Sequence, residues 1–125
     1  MVKALVAEGD SRSRRAVRWM LEDDGFIVDA VGDDTNLLAL AKSVDVVVVD
    51  IGMPGSIGMT ALEELHAAQV HIPVVAFSST SQPYLRLAAE MLGATAFVPT
   101  IAQPLPLRTA VEAVVSREPP SLRVD

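Results

Sequence analysis

Val46-Val47-Val48-Val49-Asp50-Ile51-Gly52-Met53-Pro54-Gly55 is the stretch on which the fold turns. Four β-branched residues in a row suit a strand. Apolarity on both faces suits a strand covered on both sides, as in a parallel sheet. The run stops at a carboxylate and glycine and proline soon follow, so Asp50 stands where the chain leaves the core. In open α/β sheets, ligands and chemistry collect at the carboxyl ends of the strands. The plainer reading of the same residue is an acid opening a surface turn.

Outward from this run, short apolar segments alternate with segments of helical spacing. Upstream, Lys3 to Ala7 reads as a strand closed by Glu8-Gly9-Asp10. Ser11 is placed to cap a helix with Val17, Met20 and Leu21 on one face and Arg12, Arg14, Arg15 and Arg18 mainly on the others. The arginine cluster reads as a solvated helix face. Trp19, set among charged neighbours, is expected to be partly buried. Asp23-Asp24-Gly25 ends the helix, with Gly25 as a C′ residue. Phe26 to Val31 is a second strand, less completely buried because it carries Asp29, and Thr35 to Lys42 is a short helix. Asp45 to Asp50 is the third strand.

Downstream, Met59 to Gln69 reads as a third helix, with Leu62, Leu65 and His66 on one face. Ile72 to Phe77 is a fourth strand ending in the hydroxyl run Ser78 to Ser81. Pro83 to Leu92 is a helix closed at Gly93. Thr95 to Pro99 is a short fifth strand, and Pro106 opens a last helix with Leu107, Val111, Val114 and Val115 on its apolar face. The predicted class is α/β, a doubly wound (βα)5 arrangement in which a five-stranded parallel sheet carries helices on both faces. A single domain over residues 1–116 is expected. Residues 117–125, with Pro119-Pro120, read as a tail or the start of a linker.

The 125 residues carry a net charge of −6, and only 4% are aromatic, so the core is built mostly from Val, Ala and Leu. The acidic balance argues against direct nucleic-acid binding and leaves room for a cation or a basic partner. The chain has no cysteine, which excludes disulfides, thiolate metal sites and cysteine nucleophiles. No apolar stretch reaches the roughly 18 residues of a membrane span. Val2 to Ala7 is too short for the apolar part of a signal peptide, so a cytoplasmic protein is expected. Neither His66 nor His71 comes at a strand end, so no Ser-His-acid set forms, and the common phosphate-binding glycine loops are absent. No enzyme activity is expected.

A parallel sheet gathers its carboxyl ends on one edge. That edge collects Glu8, Gly9 and Asp10 after the first strand, Asp50 after the third, Ser78 after the fourth and Thr100 after the fifth. Clustered carboxylates with a backbone carbonyl are the oxygen ligands that Mg²⁺ takes, with several waters retained. In this order and spacing, these residues resemble a receiver domain of bacterial response regulators (CheY-like), in an atypical form, from about Lys3 to Val115. The same likeness is carried by Met53-Pro54-Gly55, by Gly58 opening the third helix, by Pro73-Val74-Val75 leading to Ser78, and by Gly93-Ala94 before the fifth strand.

The resemblance implies strand order 2-1-3-4-5 and a part in two-component phosphorelay signal transduction. It implies that Asp50 accepts a phosphoryl group from a histidine kinase or phosphotransfer protein. Mg²⁺ would be held by Asp50, the acids after the first strand and the carbonyl of Gly52. Ser78 would contact the phosphoryl group, and Phe97 would move with that hydroxyl as a switch. Thr100 falls where the family has a phosphoryl-pairing lysine. A partner face on the fourth helix, fifth strand and last helix is also implied, with Tyr84, Arg86, Glu90, Thr95 and Arg108 as candidates. An output domain, a downstream protein or a second copy of the chain would dock there.

The chain departs from the family pattern in two places. Gly9 has no carboxylate, and Lys3 and Lys42 are its only lysines, so none follows the fifth strand. Glu8 remains, and Gly9 is expected to let the backbone bend enough for Asp10 to help hold a weakly bound metal. A charged hydrogen bond contributes roughly 1.5–3 kcal/mol, and driving a two-state switch from mostly off to mostly on takes about 5.5 kcal/mol. Two functions therefore compete on one fold. One is a phosphoacceptor receiver with an atypical site. The other is a phosphorylation-independent pseudo-receiver acting as a protein-interaction module. A flavodoxin-like flavin site would need a hydroxyl- and glycine-rich loop where the chain has Glu8-Gly9-Asp10.

Overall fold

The valine run forms the centre of a parallel sheet. The computed structural model describes residues 2–52, 56–78, 83–99 and 105–116. The elements alternate as β1 (Lys3–Ala7), α1 (Ser11–Asp23), β2 (Ile27–Val31), α2 (Leu37–Ala41), β3 (Val46–Asp50), α3 (Ile57–Ala67), β4 (Val74–Phe77), α4 (Pro83–Met91), β5 (Ala96–Val98) and α5 (Leu105–Val115). The strand order is β2-β1-β3-β4-β5, with every pairing parallel. Both the architecture and the order agree with the sequence reading.

Successive strand residues point to opposite faces, and the valines divide accordingly. Val46 and Val48 join Ala4, Val6, Val75 and Phe77 beneath α1 and α5, with Val17, Met20, Leu21, Leu107 and Val111. Val47 and Val49 join Leu5, Ala7, Val74 and Ala76 beneath α2, α3 and α4, with Leu37, Leu62, Leu65 and Leu85. All four valines are fully buried. Asp50 is the first residue of the run to meet the surface.

Several boundaries differ from expectation, each for a local reason. The cap of α1 is Asp10 rather than Ser11: its Oδ2 accepts the Ser13 N–H at 3.0 Å, and Ser11 is the first helical residue. Trp19 is 69% exposed rather than partly buried. At about 100° per residue, it falls opposite the face that buries Val17, Met20 and Leu21. Phe26 belongs to the end of α1, its N–H donating to the Leu21 carbonyl while that of Gly25 (φ 91°) donates to Glu22, a Schellman closure.

The start of α2 is delayed to Leu37 because Asp33 Oδ1 accepts the Thr35 N–H and Asn36 is left-handed at φ 59°. Helix α3 begins earlier than expected, capped by Ser56, whose Oγ accepts the Met59 N–H at 3.2 Å. It also ends earlier, at Ala67, with Gln69 left-handed at φ 55°. Strand β4 opens at Val74, after Pro73, which has no N–H to give a ladder. Strand β5 is shortened because the Thr95 side chain takes part in the pairing: its Oγ1 accepts the Val74 N–H at 3.0 Å.

Candidate functional site

The strand registers put two acids side by side. Ala7 pairs with Val49, so Glu8 and Asp50 come level one residue later, on strands about 4.8 Å apart. On the other side of β3, Asp50 pairs with Phe77, which brings Ser78 to the same edge. Glu8 is 4% exposed. Its Oε1 accepts the Asp10 N–H at 2.9 Å, and its Oε2 is buried with no hydrogen-bond partner among the described residues. Burial first, and the Asp50 carboxylate second, push the Glu8 carboxyl up to about 8, against the opposing pull of the Asp10 N–H. Glu is seldom buried unless paired, and nothing in the sequence pattern marks this one as buried.

Asp50 is half-buried, and its Oδ1 accepts the Gly52 N–H at 2.8 Å. Its backbone is held as well. The Ser56 hydroxyl donates to the Asp50 carbonyl at 3.2 Å, and Gly58 lies so close to the Asp50 backbone that a Cβ there would overlap it. The N-terminus of α3 is thereby set directly against the end of β3.

Asp10 is engaged elsewhere. As the cap of α1 it binds the Ser13 N–H, which lowers its pKa, and among the described residues no three metal-ligating side chains gather. Arg14, read as part of a solvated face, turns inward instead. Its Nη1 donates to the carbonyls of Glu8 at 2.9 Å and Gly9 at 3.4 Å, in space that any side chain at Gly32 would occupy. The signal was available in its position, one turn beyond the Asp10 cap, from which a long side chain reaches back to the strand end.

Ser78 is fully buried, its N–H donating to the Val98 carbonyl at 3.2 Å. Phe97 is half-buried on the α4 side, with the Arg86 guanidinium 5.3 Å from its ring centroid, within cation–π range. Tyr84 and Glu90 are exposed on α4. Sequence reading missed two further members of this helix face, Leu87 and Met91, which are 58% and 69% exposed. With Tyr84 they recur at i, i+3 and i+7 and so share one exposed face of α4. Thr95 is exposed while its hydroxyl accepts from β4. Arg108 turns away from α4 and pairs with Asp24 at the end of α1 and with Glu112. Its guanidinium holds the Asp24 carboxyl below the usual range. Met53-Pro54-Gly55, Ser79 to Ser81, Thr100 and residues 117–125 lie outside the described residues.

A cleft of about 900 Å³ opens at the opposite edge of the sheet, lined by Leu65, His66, His71, Pro73, Leu92 and Thr95 among others. No described Asp or Glu lines it. No described helix is long and apolar enough to cross a membrane.

Comparisons with known proteins agree with this geometry. A family model described as response regulator receiver domain matches residues 4–112. The chain is 34% identical over 123 residues to the sensory/regulatory protein RpfC of Xanthomonas campestris pv. campestris, covering 92% of this chain and 17% of that protein. It is 30% identical over 124 residues to a protein-glutamate methylesterase/protein-glutamine glutaminase of Clostridium acetobutylicum, covering 93% and 35%. The chain thus spans well under half the length of these relatives. The non-phosphorylated HemR receiver domain from Leptospira biflexa shares the fold, with a TM-score of 0.79 at 22% identity over 96% of this chain and 98% of that one. A sheet of order β2-β1-β3-β4-β5, two acids level at its carboxyl edge and a match over 109 of the 125 residues lead to one conclusion: the chain belongs to the response regulator receiver domain family.

Proposed function

We propose that Asp50 is the phosphoacceptor of a receiver that works with a reduced site. The observation carrying this reading is the Asp50 carboxylate at the sheet edge, oriented by the Gly52 N–H and flanked by the buried, unpartnered Oε2 of Glu8. In the transfer, an Asp50 oxygen bonds to phosphorus as the P–N bond of a phosphohistidine donor breaks and its electron pair returns to the imidazole. The donor class, a histidine kinase or phosphotransfer protein, follows from the family. Ser78, buried one residue beyond the partner of Asp50 in β4, would donate to the incoming oxygens. Phe97, under Arg86, is the side chain that would follow it. Thr100 is assigned a phosphoryl contact on sequence grounds alone.

The donor set fits Mg²⁺, which is bound through one or two carboxylates with retained water. Glu8, Asp50 and the Gly52 carbonyl would hold it, with Asp10 left at its helix cap. Bound there, the cation supplies charge that offsets the repulsion between the two acids and the incoming phosphoryl group. The exposed Tyr84, Leu87 and Met91, with Arg86 and Glu90, supply a docking face on α4 for an output domain, a downstream protein or a second copy.

The absence of a carboxylate at Gly9 and of any lysine beyond Lys42 favours a second reading, the same fold as a phosphorylation-independent interaction module. The deciding experiment uses Mg²⁺ with a small phosphoryl donor or a beryllofluoride mimic, read by mass spectrometry and amide NMR. A phosphoryl adduct that disappears in Asp50→Asn, with shifts at Ser78 and Phe97, establishes the first reading. No adduct and no shifts at saturating donor establish the second.

A further inference from the structure

Gly9 and Ile57 face each other beside the acid site. A Cβ on residue 9 would stand 3.1 Å from the Cγ2 methyl of Ile57, inside the roughly 3.5–4.0 Å at which carbon atoms settle in contact. Ile57 has little freedom to yield. It is half-buried and packs on the α3 face of the core. As the first residue of α3 it is β-branched, and such side chains keep one strongly preferred χ1 in a helix. The helix start is itself held to β3 by the Ser56 hydroxyl and by the close approach of Gly58 to Asp50.

We propose that Ile57 sets the ligand specificity of the acid site: its Cγ2 methyl takes the volume that a side chain at position 9 would need and so holds the site to the two carboxylates of Glu8 and Asp50. Position 9 and position 57 then form one unit, in which restoring an acid at the first achieves little until the methyl at the second is removed. This inference rests on reading the Glu8–Asp50 pair as a divalent cation site.

The test compares 125-residue chains carrying Gly9→Asp alone, Gly9→Asp with Ile57→Leu, and Gly9→Asp with Ile57→Val. Leucine removes the β-branch at nearly constant volume, whereas valine keeps it. Mg²⁺ is titrated by calorimetry and by the amide shifts of Glu8, Asp50 and Gly52, with folding checked by thermal melts. Gly9→Asp with Ile57→Leu is expected to bind Mg²⁺ about tenfold or more tightly than the wild type. The other two are expected to stay within about threefold of it. Full gain from Gly9→Asp alone, equal rescue by Ile57→Val, or no gain in a folded Leu variant each overturns the proposal. Ile57→Ala, which also lacks Cγ2, takes the place of a Leu variant that does not fold. Loss of the underlying reading looks different: no chain, the wild type included, then shows Mg²⁺-dependent shifts at Glu8, Asp50 or Gly52, and the proposal falls with it.

Discussion

Gln69 closes α3 in the left-handed region, at φ 55°, with its N–H on the His66 carbonyl and that of Val70 on Leu65. The same closure after α1 and α4 uses Gly25 and Gly93. A side chain in this conformation costs roughly 1–2 kcal/mol, partly offset by the larger unfolded-state entropy of glycine. Gln69→Gly is therefore expected to stabilise the fold by about 0.5–1 kcal/mol, seen as a higher urea midpoint at unchanged slope. At Glu8 the sign follows from linkage. Its carboxyl titrates near 8 when folded, against an ordinary value of 4.5, so the folded chain keeps a proton that the unfolded chain releases between those values. The stability this contributes is present in full below pH 4.5 and lost as pH rises through 8. Without Mg²⁺, wild-type stability should fall between pH 5 and 9 by a few kcal/mol, and Glu8→Gln should flatten that slope. Equal slopes by urea denaturation would remove the argument. Of these two residues, neither was legible in the sequence. Glutamine is an ordinary helix former, and the burial of Glu8 depends on strand register, which periodicity does not encode.

At the scale of elements, the sequence shows which segments are strands and helices far better than where they end. Residues 10 and 11 are both good N-caps, and only the Ser13 N–H decides between Asp10 and Ser11. The shortening of β5 depends on Thr95 reaching across to β4, a contact between segments 21 residues apart. Gly58, by contrast, was legible as the opening of α3, though not the reason it must lack a side chain. Gly58→Ala forces a methyl into the Asp50 backbone and is expected to cost roughly 1–3 kcal/mol, the usual penalty of overpacking. It should also move the Asp50 and Gly52 amide resonances. A variant with unchanged stability and unchanged spectra would mean that α3 is not seated as described.

For the whole molecule, the strict alternation of elements was enough to specify a parallel α/β sheet, since short buried strands and intervening helices leave few alternatives. The strand order was not derivable from alternation; it came with the resemblance, as did every role assigned at the sheet edge. The surface was read least well. Trp19, Leu87 and Met91 are apolar side chains left in solvent, and a pattern of buried positions does not announce which apolar residues will be exposed. Glutamates at Leu87 and Met91 should therefore leave the melting temperature nearly unchanged, since exposed substitutions usually stay within about 0.5 kcal/mol, while abolishing any self-association through α4. Sedimentation over a concentration series checks this; a dimer that survives both changes must use another face.

The seam between Gly58 and Asp50 has a mechanical consequence. Helix α3 has 11 residues and so is a rod about 16 Å long, fastened at one end to the carbonyl of Asp50. A tilt of about 4° at that end sweeps the other by about 1 Å. The swept end carries Leu65 and His66, which line the cleft on the far edge of the sheet. Any tilt of α3 at the Asp50 end would therefore be felt at a surface that Asp50 never touches.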